Sequence, residues 1–128
     1  MTPPDEAPLF TPCTLGELQL RNRVVMASMT RGRARNAELA PTELHVEYYR
    51  QRAAAGLILT EGTWISPRAI GFINAPGLFT ERQVEGWRAV TSAVHSDGGA
   101  IFAQLAHSGA RSRIPTFSMA SCRPPRPR

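Results

Sequence analysis

The chain has 128 residues, of which 42% are apolar, a share that supports one small globular core rather than a disordered chain. No run approaches about 18 uninterrupted apolar residues, which argues against a membrane-spanning helix. The net charge of +5 comes from arginines in the last eighteen residues, a segment that contains no acidic residue.

The first half of the chain contains one predicted strand and one predicted helix. Apolar and β-branched residues at 20–29 form a short run that ends at the polar Thr30, as a buried strand entering a loop does. Apolar and aromatic positions over 41–55 follow a broad helical face, and Gly56 is predicted to end that helix.

The second half repeats this order. A strand is predicted at 57–65, directly after the first helix, and a second amphipathic helix at 81–96 stops at the Asp97-Gly98-Gly99 sequence. A third strand follows at 100–107. Strands that are almost continuously apolar and alternate with helices are typical of a parallel β/α architecture, because such strands are buried on both faces.

Two parallel architectures remain open at this point: an open doubly wound sheet, or the first three strands of a (β/α)8 barrel. Both bind ligands at the carboxyl ends of their strands. No Gly-x-Gly-x-x-Gly or Gly-x-x-x-x-Gly-Lys sequence follows the first strand, which lowers the nucleotide-binding open-sheet alternative. The sequence therefore favours an incomplete barrel, with about three β/α units.

The last segment, residues 111–128, is rich in arginine and proline. Such a segment can bind phosphate backbones through counterion release. It has no interleaved aromatic residues and no recognisable reading module, however, so we interpret it as a disordered tail, with nucleic-acid binding as the alternative. A frameshift in a GC-rich coding sequence is a further explanation, since the chain contains arginine but no lysine.

Cysteine usage and the first residues bear on the cellular compartment. Cys13 and Cys122 lie far apart and belong to no Cys/His cluster, which argues against a zinc site and against a disulfide framework. The first ten residues contain neither a positive leader nor an apolar secretion segment. The sequence predicts a cytoplasmic protein.

Several sequence blocks together carry a resemblance to a known family. They are residues 9–12 (LFTP), 20–31 (LRNRVVMASMTR), 47–52 (EYYRQR), 54–63 (AAGLILTEGT), 74–78 (NAPGL) and 104–109 (QLAHSG). In order and spacing these blocks resemble the amino-terminal part of the old yellow enzyme family of FMN-dependent ene-reductases. The resemblance implies an amino-terminal hairpin before the first strand and a (β/α)8 TIM barrel of which this chain supplies the N-terminal part.

The resemblance also implies a cofactor and two side chains that bind it. Thr30 matches the threonine whose hydroxyl bonds to the flavin O4, and Gln104 matches the glutamine that binds the pyrimidine edge of FMN. An amide suits that edge because it offers a donor and an acceptor side by side. A glutamine in an apolar strand is also costly unless its amide is satisfied, which favours a ligand there.

Four further positions are implied to contact the flavin mainly through backbone or through their small size. Ala27, Ser28 and Met29 match the backbone that lines the ring, and Gly62 matches a close approach of the second strand to it. Ser28 stands where many members have proline, and Phe72 where many have tyrosine. The family reduces FMN with NAD(P)H and passes hydride to activated alkenes, which are α,β-unsaturated carbonyl or nitro compounds.

The histidines and tryptophans receive structural interpretations. His45 and His95 are expected at surface or boundary positions of the helices, and His107 is expected to shape a loop. Trp64 and Trp87 are expected to pack in the core.

The expected organisation is a flexible N-terminus at 1–8, a barrel portion at 9–110 and the basic tail at 111–128. No catalytic residue is assigned, because the histidine pair that binds substrate in the family lies on a later strand. We therefore expect this chain alone to be inactive. The alternatives are a noncatalytic fragment that forms a homo-oligomer or pairs with another chain through its open strand edges, and a nucleic-acid binder that uses its basic tail.

Overall fold

The computed structural model of the protein describes residues 8–109. The predicted tail at 111–128 and nearly all of the predicted N-terminal segment at 1–8 lie outside the described residues. Within them, a short hairpin precedes a strand-helix-strand-helix-strand unit, in the order that the sequence predicted. The elements in chain order are β1 (Cys13–Leu15), β2 (Leu18–Leu20), β3 (Val25–Met26), α1 (Glu43–Arg50), β4 (Leu57–Trp64), α2 (Glu81–Ser96) and β5 (Ile101–Ala106).

The amino-terminal hairpin is formed by β1 and β2, which pair in antiparallel register from Cys13 opposite Leu20 to Leu15 opposite Leu18. Gly16 takes a φ of 59° in the two-residue turn, a conformation that glycine adopts without steric cost. This hairpin confirms the one that the family resemblance implied.

The main sheet has the strand order β3-β4-β5, and all three strands are parallel. Val25 lies opposite Leu57, and Ile58 lies opposite Ile101. The register shifts between Leu59 and Gly62, where β4 has one residue more than β5. The described residues form an α/β unit with no closed barrel, which agrees with the predicted incomplete (β/α)8 architecture.

The first predicted strand is much shorter in the structure than its composition indicated. Residues 20–29 were expected to form one strand, but Leu20 ends the hairpin and only Val25–Met26 pairs with the sheet. The chain needs the intervening residues to turn from the antiparallel hairpin into the parallel sheet. Hydrophobic composition does not report that turn.

The first helix ends earlier than predicted, at Arg50. The residues that follow form consecutive tight turns, in which Arg52 N donates to Tyr49 O and Ala53 N donates to Arg50 O, both at 3.0 Å. Gly56 stands after these turns because a β-carbon there would overlap the carbonyl oxygen of Asn22. The glycine therefore allows a close approach to the segment between the hairpin and β3 and is not a helix cap.

The second helix has the predicted bounds, Glu81–Ser96. Its first turn is capped by Thr80, whose hydroxyl oxygen accepts from Gln83 N at 3.3 Å. Its end is closed by Gly98, which has a φ of 72° and whose N–H donates to His95 O at 2.8 Å.

The core lies between the helices and one face of the sheet. Its buried side chains are Tyr49, Ala53, Ile58, Trp87, Val90 and Val94. A second buried cluster beyond the end of β4 contains Trp64, Ala69, Ile70 and Ala75. Both tryptophans are thus packing residues, as expected.

The other face of the sheet is open in the described residues. Val25 and Phe102, which point to this face, are each 49% exposed. Leu105 points to the same side of β5 as Ile101, the helix side, and is 61% exposed because no described element covers it there. The prediction that every strand is buried on both faces is wrong for β5, which is exposed over most of its length. The apolar composition of a strand shows only that it can be buried. Burial on both faces also requires another helix or strand to pack on each face.

Among residues 8–109, no helix is long and apolar enough to cross a membrane.

Candidate functional site

A cleft of about 200 Å³ opens where the three parallel strands end. This edge of a parallel sheet is where β/α folds bind ligands, because the loops that follow the strands converge there. The lining residues come from the end of each strand and the loops that follow. They are Ser28, Thr30, Gly62, Trp64, Phe72, Gln104, Ala106, His107 and Ser108.

The structure brings together four of the six residues predicted to bind a cofactor: Ser28, Thr30, Gly62 and Gln104. The other two, Ala27 and Met29, do not line this cleft. Both are exposed, Met29 to 50%.

Gly62 leaves open the space that a side chain would fill. It lies opposite Gln104 in the sheet. A β-carbon at Gly62 would lie 3.4 Å from Ala106 Cβ and 3.8 Å from Gln104 Oε1, which are ordinary contact distances. An alanine would therefore fit the fold while reducing the room between the two strands.

Gln104 is held by its backbone and exposes its side chain. Its N–H donates to Thr60 Oγ1 at 3.0 Å, and its residue surface is exposed. The argument that a glutamine on this strand must be satisfied because it is buried does not apply here, since β5 is an open edge among the described residues. Its amide is accessible to a ligand from the cleft side.

Two polar atoms at the cleft are buried without a hydrogen-bond partner among residues 8–109: Ser28 Oγ and Trp64 Nε1. Buried polar atoms are nearly always paired in folded proteins. Each of these atoms can form a further hydrogen bond, and the residues that carry them line the same cleft.

Aromatic and histidine side chains shape the rim of the cleft. Phe72 is 63% exposed and its ring stacks on that of Trp64, with centroids 6.2 Å apart and 18° between the planes. His107 Nδ1 accepts from Gly109 N at 2.8 Å, so this histidine shapes the loop after β5, as expected. His95 is exposed, also as expected.

A buried polar group behind the cleft was missed by the sequence analysis. Glu61, on β4, is fully buried, and its Oε2 accepts from Arg31 N at 2.9 Å. The Glu61 N–H donates to the Tyr49 hydroxyl at 2.8 Å. The signal was present, because a carboxylate inside an apolar strand is costly unless it is paired.

His45 belongs to the same group and is 2% exposed, so the predicted surface or boundary position is wrong. Its Nδ1 accepts from Thr42 N at 3.0 Å, at the start of α1. The other ring nitrogen, Nε2, therefore carries the proton and faces Glu61 Oε1 at 3.5 Å. This distance is long for a hydrogen bond, and neither atom has another hydrogen-bond partner among residues 8–109.

Burial dominates the electrostatics of this group. It lowers the pKa of His45 and raises the pKa of Glu61, while the backbone N–H groups of Arg31 and Gly32 and the Arg31 charge oppose the Glu61 shift. Burial also raises the pKa of Tyr49. The histidine is consequently neutral near pH 7, and its single ring proton points at the carboxyl group.

Comparison with known proteins gives the family of the chain. The sequence profile of the NADH:flavin oxidoreductase / NADH oxidase family matches residues 8–122. Flavin oxidoreductase hxnT of Emericella nidulans is 49% identical over 114 residues, which are 86% of this chain and 29% of that protein. A probable flavin mononucleotide-dependent alkene reductase of Leishmania infantum is 42% identical over 108 residues, or 84% of this chain and 29% of that protein.

Solved structures share the fold of the described unit. Morphinone reductase in complex with tetrahydroNAD superposes with a TM-score of 0.76 at 48% identity, covering 84% of this chain and 29% of that chain. The chain thus spans about 29% of the length of the relatives that it matches. The agreement of the sequence profile, the identities and the superposition shows that this chain belongs to the NADH:flavin oxidoreductase / NADH oxidase family, the family of the old yellow enzymes.

Proposed function

We propose that this chain supplies the first part of an FMN site in an NAD(P)H-dependent alkene reductase. One observation carries the proposal: Thr30, Gly62 and Gln104 line one cleft at the carboxyl ends of three parallel strands. Strand ends of this kind position the reactive groups in (β/α)8 enzymes.

The residues present fit a planar polar ring. Gly62 leaves room beside Gln104, and Ser28 Oγ and Trp64 Nε1 are buried polar atoms that no described residue satisfies. A flavin presents carbonyl oxygens and ring nitrogens around a flat surface, so it can use such donors while occupying a glycine-lined gap.

Each polar side chain has a distinct proposed task. The Thr30 hydroxyl donates to the flavin O4, and the Gln104 amide donates to one atom and accepts from another along the pyrimidine edge. Ser28, which lines the cleft, contributes backbone beside the ring, and the family resemblance assigns the same task to its neighbours Ala27 and Met29, which lie outside the described cleft. Bound FMN supplies hydride transfer from NAD(P)H to the β-carbon of an electron-poor alkene, and these residues orient the ring for it.

The described cleft is smaller than a complete site. Its volume of about 200 Å³ falls below the roughly 300–1,000 Å³ of typical ligand pockets. The chain also spans only about 29% of its relatives. We propose that the remaining cofactor contacts and the groups that bind the alkene come from barrel segments that the relatives have in addition. The named alkene reductase among the relatives supports this substrate class.

The experiment is a titration of FMN with the 128-residue chain, in which quenching of the flavin fluorescence measures binding. The test variant is Gln104→Leu, which keeps the side-chain size and removes both hydrogen-bonding groups. Loss of two such bonds weakens binding by about 1–3 kcal/mol, or about fivefold to 150-fold in Kd. The control is Gln51→Leu, at an exposed glutamine just after α1.

Saturable quenching by the unaltered chain and by Gln51→Leu, with weaker binding by Gln104→Leu, supports the proposal. Absence of binding by the unaltered chain overturns it for this chain, and equal affinities overturn the role of Gln104.

A second candidate function is association through the open sheet. Phe102 and Leu105 expose apolar surface on β5, and β3 and β5 are both edge strands among the described residues. A solution mass above the 14.0 kDa of one chain, restored to one chain by Phe102→Lys, supports this function. Nucleic-acid binding through residues 111–128 and a cytoplasmic location stay predictions from the sequence.

A further inference from the structure

We propose that Glu61 is a positioning residue, whose buried carboxylate and the strand bulge around it hold Thr30 and Gln104 at the cleft. The inference rests on the proposed function, since it concerns the two side chains that are proposed to bind the flavin. Glu61 lies behind the cleft and does not line it.

The bulge releases the main chain of Glu61 from the sheet. The register between β4 and β5 shifts between Leu59 and Gly62. Instead of a strand partner, Glu61 N donates to the Tyr49 hydroxyl at 2.8 Å, and the hydroxyls of Thr60 and Thr63 donate to Glu61 O at 3.0 and 2.9 Å. Every main-chain polar group of this residue is therefore satisfied, and its orientation is fixed by three other side chains.

The carboxylate holds the loop that follows β3. Glu61 Oε2 accepts from Arg31 N at 2.9 Å, and Arg31 follows Thr30 directly. The Gly32 N–H also contributes to stabilising the charged carboxylate. The loop can therefore shift at Thr30 only if bonds to a fully buried group are broken.

The same bulge holds the third strand. Thr60, the neighbour of Glu61, accepts from Gln104 N through its hydroxyl oxygen at 3.0 Å. This bond replaces a strand-to-strand bond at the register shift. The spacing between Thr30 on one side of β4 and Gln104 on the other thus depends on two consecutive residues, Thr60 and Glu61.

The charges around Glu61 make a purely stabilising role a poor explanation. Burying a carboxylate costs free energy, and replacing buried ionic groups with apolar ones is often neutral or stabilising. The groups that face it are Arg31, which stacks on Tyr48 with 3.6 Å from guanidinium carbon to ring centroid, and the neutral His45. All of these groups connect the loop after β3 and helix α1 to the bulge.

The test uses the full 128-residue chain and three variants. Glu61→Leu keeps the volume and removes the acceptor, whereas Glu61→Gln keeps one acceptor oxygen for Arg31 N. Thr60→Val removes the acceptor for Gln104 N and one of the two hydroxyl donors to Glu61 O, and it leaves the Thr63 donor and the Glu61 carboxylate in place. The matched control is Glu47→Gln, at an exposed glutamate of α1. Amide hydrogen exchange reports on each backbone bond, and FMN titration reports on the cleft.

We expect Glu61→Leu to speed exchange of the Arg31 amide at least about tenfold, the equivalent of a lost bond of about 1.4 kcal/mol. The Val90 and Val94 amides of α2 should keep their protection. Glu61→Gln should restore much of the Arg31 protection, and Thr60→Val should affect Gln104 and not Arg31. FMN affinity should fall, and the absorption spectrum of bound FMN should shift, in Glu61→Leu and Thr60→Val but not in Glu47→Gln.

Two results overturn the inference. One is unchanged Arg31 exchange in Glu61→Leu, or equal acceleration of all amides, since either means that the carboxylate does not hold this loop in particular. The other is faster Arg31 exchange with unaltered FMN affinity and spectrum. If Glu61→Leu does not fold, Thr60→Val alone decides through Gln104 exchange and FMN binding. If the unaltered chain binds no FMN, the proposed function fails while the exchange measurements still decide whether Glu61 and Thr60 hold these segments.

Discussion

The buried side chain of Gln83 donates a hydrogen bond from Nε2 to the carbonyl oxygen of Glu38, 2.7 Å away and 45 positions earlier in the chain. Its Oε1 accepts from the N–H groups of Phe79 and Thr80, at 2.8 and 3.1 Å. One side chain thus connects the start of α2 with the loop that precedes α1. The Gln83 amide thereby holds the end of the loop between β4 and α2 through its bonds to Phe79 and Thr80.

We expect Gln83→Leu to lower the free energy of unfolding by about 1–3 kcal/mol, because it leaves buried backbone groups without partners while keeping the volume. Urea denaturation followed by the fluorescence of the buried Trp87 measures this change. Gln51→Leu, at an exposed site, should stay within about 0.5 kcal/mol of the unaltered chain. Equal effects of the two substitutions would contradict the assignment.

A second prediction concerns Tyr48, whose ring contacts the guanidinium groups of two arginines. The guanidinium carbons of Arg31 and Arg52 lie 3.6 and 3.8 Å from its ring centroid. Tyr48→Leu should cost about 0.5–2 kcal/mol of stability through loss of these cation–π contacts, whereas Tyr48→Phe keeps the ring and should cost less than about 0.5 kcal/mol. Chemical denaturation of the two variants tests this, and similar losses in both would show that the ring face contributes nothing.

The accuracy of the sequence predictions depended on whether the signal was local. The second helix has the predicted bounds because its start and stop are encoded nearby, by Thr80 and by Gly98. The first strand was predicted too long because its end depends on where the hairpin meets the sheet. The exposure of β5 depends on which elements cover it, and its own residues do not encode that.

The candidate site shows the same division. Thr30, Gly62 and Gln104 were predicted because the blocks that contain them resemble a known family, and the structure brings them to one cleft. Glu61 was missed by the sequence analysis. The reasoning used for Gln104 was that a polar side chain in an apolar strand needs a partner, and this reasoning is stronger for a charged carboxylate such as Glu61. The partners of Glu61 lie 30 positions earlier, at Arg31, and on α1, so only the folded structure identifies them.

His45 predicts how stability depends on pH. Burial lowers its pKa in the folded state below the ordinary histidine value of 6.5, so the unfolded chain takes up a proton at higher pH than the folded chain. The free energy of unfolding should therefore fall as pH drops below about 6.5, by up to about 1.4 kcal/mol per pH unit. Glu61 acts with the opposite sign, since its raised pKa makes the stability fall as pH rises above the ordinary value of 4.5.

Substitution of His45 isolates its contribution to this pH dependence. His45→Gln should flatten the decline below pH 6.5, while His95→Gln, at an exposed position of α2, should leave it unchanged. Urea denaturation at a series of pH values gives both profiles. A decline that persists in His45→Gln would assign the proton uptake to another group.

The last prediction uses Gly62 to separate fold from cofactor binding. An added β-carbon would meet Ala106 Cβ at 3.4 Å and Gln104 Oε1 at 3.8 Å, so Gly62→Ala should fold with a stability change below about 1 kcal/mol. The methyl group occupies the gap proposed for the flavin ring and should weaken FMN binding at least about tenfold. Ser92→Thr adds one methyl group on the exposed part of α2 and serves as the control.

Fluorescence titration with FMN measures the affinity of each variant, and a denaturation curve measures its stability. Unchanged affinity in a folded Gly62→Ala would mean that the ring does not enter this gap, whereas lost affinity at intact stability would place it beside Gly62.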